Sequence, residues 1–127
     1  MLLIDRDKTQ QFYLTQENIV NDCQCTDCKF YSETFTKEPI EIFSILSSFG
    51  VDLHKNLSSE PTGVWCIRDE NDMFLHCGQV YQVVGQFQNG DKSQVKYETQ
   101  ENGYNVNAVF IKGESNTIDI ELNIDKT

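Results

Sequence analysis

A chain of 127 residues with 39% hydrophobic and 11% aromatic side chains and only two prolines has the length of one domain and too many core-formers to stay disordered. Twenty acidic against ten basic residues leave a net charge of −10, and each side of Gly63 carries ten acids and five bases. A field of that sign repels phosphate backbones and anionic membranes, so neither nucleic acid nor a membrane is an expected partner, whereas a basic protein surface is.

The start, Met1-Leu2-Leu3-Ile4, gives way to charge at Asp5, too early for the apolar core of an export signal, so a cytoplasmic protein is expected. Gln11 to Leu14 reads as a short strand, followed by a polar loop from Thr15 to Asp22. A helix is expected from Thr26 to Phe35, with Thr26 capping the first-turn amides, Asp27 at the positive end, and Cys28, Tyr31 and Phe35 on one face. The next helix has Pro39 in its first turn, an apolar stripe of Ile42, Phe43, Leu46 and Phe49, and Gly50 to end it, with Val51 packing just beyond.

After Gly63 the period changes from helical to two. Val64 to Ile67 and Met73 to Cys77 flank the charged turn Arg68-Asp69-Glu70-Asn71-Asp72. Gln79 to Gln88 and Ser93 to Thr99 flank Asn89-Gly90, a hairpin dipeptide that supplies positive φ at both central positions. Asn102-Gly103 repeats the signal before Tyr104 to Lys112. Gly113 to Asn116 then turns into a last strand, where Ile118, Ile120, Leu122 and Ile124 alternate with Asp119, Glu121, Asn123 and Asp125. The expected fold is a single α+β domain. Residues 1–62 form a strand, loops and two short helices, and these helices cover one face of an antiparallel meander of about six strands in residues 63–127. Thr117 to Asp125 is expected to lie at a sheet edge, guarded by its acids.

Cys23, Cys25 and Cys28 place three thiols within six residues, close enough for one zinc ion to collect three ligands, with Cys66, Cys77, His76 or His54 as the fourth. The spacing lacks the two separated Cys-x-x-Cys pairs of most zinc modules. Cys25 and Cys28 also have redox-pair spacing, without the βαβ context such pairs keep. The plainer alternative is burial: Cys28 under its helix, Cys66 and Cys77 facing the core from neighbouring strands. No cofactor other than zinc is implied.

Catalytic signatures are missing. His54 sits in a polar loop, His76 shares a strand with Phe74, and a Cys–His pair of Cys77 or Cys28 with His76 would have to be made by the fold. There is no phosphate-cradling glycine loop, Gly-x-Ser-x-Gly elbow or His-Glu-x-x-His. Asp69, Glu70 and Asp72 read as a solvated turn, and Trp65 and Tyr81 as core.

The segment from Cys23 to Gly85 resembles a family of small uncharacterised bacterial proteins. The resemblance lies in Cys23, Cys25 and Cys28 with Phe30 and Tyr31, in Phe49-Gly50-Val51-Asp52, and in His76-Cys77-Gly78-Gln79-Val80-Tyr81 with Val84-Gly85. Gln79 stands where that family tends to carry glycine, and Cys77 where it tends to carry an aromatic. The resemblance implies no activity. The function expected is therefore a non-enzymatic, acidic protein-binding domain, by analogy of size and charge an immunity-type protein that neutralises a toxin. Its partner-binding residues would be Asp119, Glu121 and Asp125. The alternative is a small structural zinc domain on Cys23, Cys25 and Cys28.

Overall fold

The computed structural model describes residues 2–19, 25–57, 64–71, 74–88 and 93–127. In chain order they form β1 (Leu2–Ile4), α1 (Arg6–Leu14), α2 (Thr26–Glu33), a 3-10 turn (Phe35–Lys37), α3 (Glu41–Ser48), β2 (Trp65–Arg68), β3 (Phe74–Phe87), β4 (Gln94–Glu101), β5 (Tyr104–Lys112) and β6 (Thr117–Lys126). The fold is α+β, a curled antiparallel sheet with helices on one side. Among the described residues no helix is long and apolar enough to cross a membrane.

The sheet is not a simple meander. Its order is β3-β6-β5-β4, with β1 and β2 set end to end along the far edge of β3. β3 and β4, expected to pair across Asn89-Gly90, are separated by β6 and β5, a Greek-key order; Asn89 and Gly90 themselves lie outside the described residues. The pairing that wins joins two buried rows. Cys77, Gln79, Tyr81 and Val83 of β3 stand opposite Ile124, Leu122, Ile120 and Ile118 of β6, all of them buried. Each buried isoleucine or leucine contributes about 1.5–3 kcal/mol relative to exposure. β6 is thus an interior strand, not the expected edge. The Asn102-Gly103 turn forms as expected, with φ of 52° and 82°, closing β4 on β5 at Glu101 and Tyr104.

Two strands expected around Gly78 are one, because β3 runs unbroken for 14 residues. Its first half pairs with β2 through a bulge that sets Arg68 against Phe74 and Ile67 against His76. The extra residue, Leu75, reverses the alternation, so Phe74 is core while His76 points to the opposite face.

Between β2 and β1, the outward backbone groups of Val80, Gln82 and Val84 meet no strand among the described residues. α1 fills that gap. The Tyr13 hydroxyl donates to Gln82 O at 2.8 Å and accepts from Gln82 N at 2.9 Å. Thr9 Oγ1 accepts from Val84 N at 3.0 Å and donates to Asp5 O at 2.8 Å, and Asp5 N donates to Val84 O at 2.8 Å. The Val80 amide donates to the Gln79 side chain at 2.9 Å, whose Nε2 donates to Asn56 Oδ1 at 2.8 Å. This explains why Gln11 to Leu14 is helix where a strand was expected. Asp5 caps the first turn by accepting from Lys8 N, and Thr9 and Tyr13, one turn apart, both reach the β3 edge.

In the helical layer, α2 is capped by Cys25, whose sulfur accepts from Cys28 N at 3.4 Å, rather than by Thr26, which is already helical. α3 begins at Glu41, so Pro39 lies before it, and its cap residue Ile40 has no side-chain acceptor. Glu101 of the β4–β5 hairpin supplies one, accepting from Glu41 N at 2.7 Å, while Asn102 Nδ2 donates to Pro39 O at 2.6 Å. Gly50 ends α3 with φ of 93°, and Val51 N returns to Leu46 O. Phe35 ties the layers together, with its ring 4.9–6.1 Å from those of Phe30, Tyr31, Phe43, Phe74 and Tyr104.

Tyr81 is fully buried. Its hydroxyl donates to Leu53 O at 2.8 Å, so the Tyr31 hydroxyl, 2.6 Å away, must donate to Tyr81. Burial raises the pKa of both phenols, so both keep their protons. Tyr81→Phe leaves Leu53 O and the Tyr31 hydroxyl unsatisfied and is expected to cost about 1–3 kcal/mol, whereas Tyr31→Phe keeps the bond to Leu53 and costs about 0.5–1.5 kcal/mol. Urea unfolding of the two variants checks this order, and a larger loss for Tyr31→Phe contradicts the donor assignment.

Candidate functional site

Among the described residues helices cover only the face of the sheet that carries the isoleucines. On the other face the registers set side chains in rows across the strands. One row is Ile67, His76, Asp125, Asn105, Gln100. The next is Trp65, Gly78, Asn123, Asn107, Glu98. Then come Val80, Glu121, Val109 and Lys96, and after them Gln82, Asp119, Ile111 and Gln94.

Asp119, Glu121 and Asp125 therefore do share this open face. Their surroundings differ. Asp119 accepts from Gln82 Nε2 at 2.8 Å, and Asp125 Oδ1 lies 2.5 Å from His76 Nδ1. Glu121 is exposed between Val80 and Val109.

Beside Asp125 a groove of about 590 Å³ is lined by Glu98, Thr99, Gln100, Asn105, Val106, Asn107 and Asp125. The side-chain oxygens Asn105 Oδ1 and Asn107 Oδ1 are buried and have no hydrogen-bond partner among the described residues. A buried acceptor without a donor costs about 1–3 kcal/mol, so native folds keep few of them. Glu98, Asn105 and Asn107 carried no distinct signal in the sequence. Their parity in β4 and β5, opposite to that of Val95, Tyr97, Val106 and Ala108, was the only trace.

An apolar corner adjoins the acidic rows. Trp65, expected in the core, is 38% exposed and Ile67 55%. The correction follows from register. Trp65 pairs with Gly78 on the open face, and its six-membered ring occupies the space above that glycine, where an added Cβ would collide with it.

The structure separates the groups that a Cys–His catalytic pair needs. Cys77 is inward and His76 outward, and Cys28 is buried on the helical side. His54 is exposed, with Nδ1 3.2 Å from Ser32 Oγ, but Ser32 is buried.

Among the described residues no group of three or more histidine, cysteine, aspartate or glutamate side chains is placed to hold a metal ion. Cys23 lies outside the described residues, so the three-thiol cluster is described only for exposed Cys25, the α2 cap, and buried Cys28.

The other two cysteines meet. Cys66 and Cys77 stand directly opposite on β2 and β3, with sulfurs 3.3 Å apart and in hydrogen-bond contact, the Cys66 thiol directed at the Cys77 sulfur. Contact with the Cys77 sulfur, helped by Arg68, lowers the Cys66 pKa against the opposing effects of burial and of Asp27 and Cys25. The contact with Cys66 and burial both push the Cys77 thiol up. Arg68 itself pairs with Asp27 of α2 at 3.1 Å and lies over the Phe30 ring.

No protein-family model, curated protein or solved structure matches the chain.

Gly78→Ala is expected to unseat the Trp65 ring, cost about 1–3 kcal/mol through overpacking, and red-shift the emission of this single tryptophan. Unchanged emission together with an unchanged urea midpoint would show that the ring does not depend on Gly78.

Proposed function

We propose that the chain is a non-enzymatic protein-binding domain whose open sheet face docks a basic protein surface, in the manner of an immunity-type protein that neutralises a toxin by covering it. The observation that carries this reading is the pair of donor-less oxygens, Asn105 Oδ1 and Asn107 Oδ1, set in one groove with the carboxylates of Glu98 and Asp125. The two carboxylates add acceptors and no donor. A lysine ammonium offers three and an arginine guanidinium five, and neither is an acceptor. A basic side chain entering there satisfies both amide oxygens and neutralises two carboxylates.

The rest of the face suits the same occupant. Glu121 and Asp119 extend the negative surface along β6, and the net charge of −10 draws a cationic partner in at long range. Trp65 and Ile67 supply exposed apolar area at the rim, and tryptophan is among the commonest anchors of protein interfaces.

The test is a titration of isotope-labelled protein with a short oligo-arginine peptide, followed by amide chemical shifts. Shifts are expected to concentrate at Glu98, Asn105, Asn107 and Asp125 and to fade as salt is added. The double variant Glu98→Gln/Asp125→Asn is expected to weaken binding about fivefold, as befits two partly exposed charge pairs. Shifts centred on the helical side, or binding indifferent to salt, would overturn the proposal.

A further inference from the structure

The binding reading leaves Cys66 and Cys77 unused, because both point away from the open face. Directly opposed residues of an antiparallel pair have Cα atoms roughly 4.5–5.5 Å apart, within the span that a disulfide bridges. With the sulfurs at 3.3 Å, a bond of about 2.05 Å requires them to close by little more than about 1 Å. The two thiols are unequal. Cys66 is half-buried and reachable, while Cys77 is 1% exposed and sits behind it.

We propose that Cys66 and Cys77 are a redox-active dithiol, a modification site that a small hydroperoxide converts to a disulfide, with Cys66 attacking and Cys77 resolving. Contact with the Cys77 sulfur and the nearby Arg68 guanidinium favour the thiolate on the accessible partner, the form that reacts. The Cys66 thiolate attacks one peroxide oxygen. An S–O bond forms, the O–O bond breaks, and the departing hydroxide takes a proton and leaves as water. Cys66 is now a sulfenic acid. The Cys77 sulfur attacks it, an S–S bond forms, the S–O bond breaks, and the leaving hydroxide takes the Cys77 proton as a second water. Two thiols have lost two electrons and one peroxide has gained them. The product ties β2, a strand of four residues carrying Trp65, covalently to β3.

The test treats the reduced full-length protein with hydrogen peroxide and maps thiols by alkylation and peptide mass spectrometry. A Cys66–Cys77 linkage is expected, with a thermal midpoint higher by roughly 5–10 °C because a short loop is closed. In Cys77→Ser the reaction should stop at a Cys66 sulfenic acid that dimedone traps, and in Cys66→Ser no adduct should form at Cys77. Cys25→Ser should leave the linkage intact. The proposal fails if Cys66 and Cys77 remain alkylatable while peroxide oxidises other cysteines. It also fails if Cys77→Ser yields no dimedone adduct at Cys66. Loss of the linkage leaves the arginine-peptide titration unaffected, so the two proposals fail separately.

Discussion

Everything in this fold follows from how the backbone of β3 is satisfied. The strand runs through the sheet for 14 residues, with β6 along one side, but on the other side the described strands cover only its ends. Buried peptide groups must be paired, and Val80, Gln82 and Val84 fall in the uncovered middle. A side-chain hydroxyl can stand in for a strand because it both donates and accepts. Tyr13 does so for both groups of Gln82, and Thr9 links Val84 N to Asp5 O. The N-terminal helix is therefore part of the sheet's hydrogen bonding as well as a cover for its core. Its removal would expose a sheet edge, a known route to unwanted strand pairing.

The same arrangement leaves the molecule one-sided. Phe35 gathers rings from α2, α3, β3 and β5, and the tyrosine chain from Tyr31 through Tyr81 to Leu53 fastens the helical layer above them. All of this lies on the isoleucine face. Among the described residues the opposite face keeps its carboxylates and amides in rows without a second layer, and its two unsatisfied amide oxygens stand out against paired buried groups such as Gln79 and Asn56. In the proposed complex a donor-rich cation completes these acceptors and meets the acidic groups around them.

How much of this was legible in the sequence can be judged element by element. The alternation from Ile118 to Asp125, the Asn102-Gly103 hairpin and the Gly50 helix end were readable because each is dictated by neighbours in the chain: a period, a positive φ, a glycine. What was not readable depends on distant residues. Nothing local says that β3 prefers β6 to β4, since that choice compares two rows of side chains some 40 residues apart in register. The bulge at Leu75, one extra residue, was invisible in the sequence and reversed the faces of Phe74 and His76. Trp65 looked like core because large aromatics usually are, and only the pairing with Gly78 shows why it sits outside. The acidic candidates on β6 were legible, and the groove beside them was not, because Glu98, Asn105 and Asn107 come from two other strands. The cysteine trio drew attention by spacing, while the pair that touches, Cys66 and Cys77, is separated by ten residues and joined only by register.

The start of α3 has one further consequence, for the order in which the chain assembles. Ile40 offers no cap, and the acceptor for Glu41 N comes from Glu101, 60 residues downstream. The β4–β5 hairpin closes through the two residues Asn102 and Gly103 and needs only local contacts, which form fast. The expected sequence of events is thus C-terminal before N-terminal: the hairpin closes first and presents Glu101 and Asn102 to a helix that lacks its own first-turn acceptor. For a chain synthesised from the other end, α3 is made well before the acceptor that caps it, and gains that cap only once the hairpin has followed.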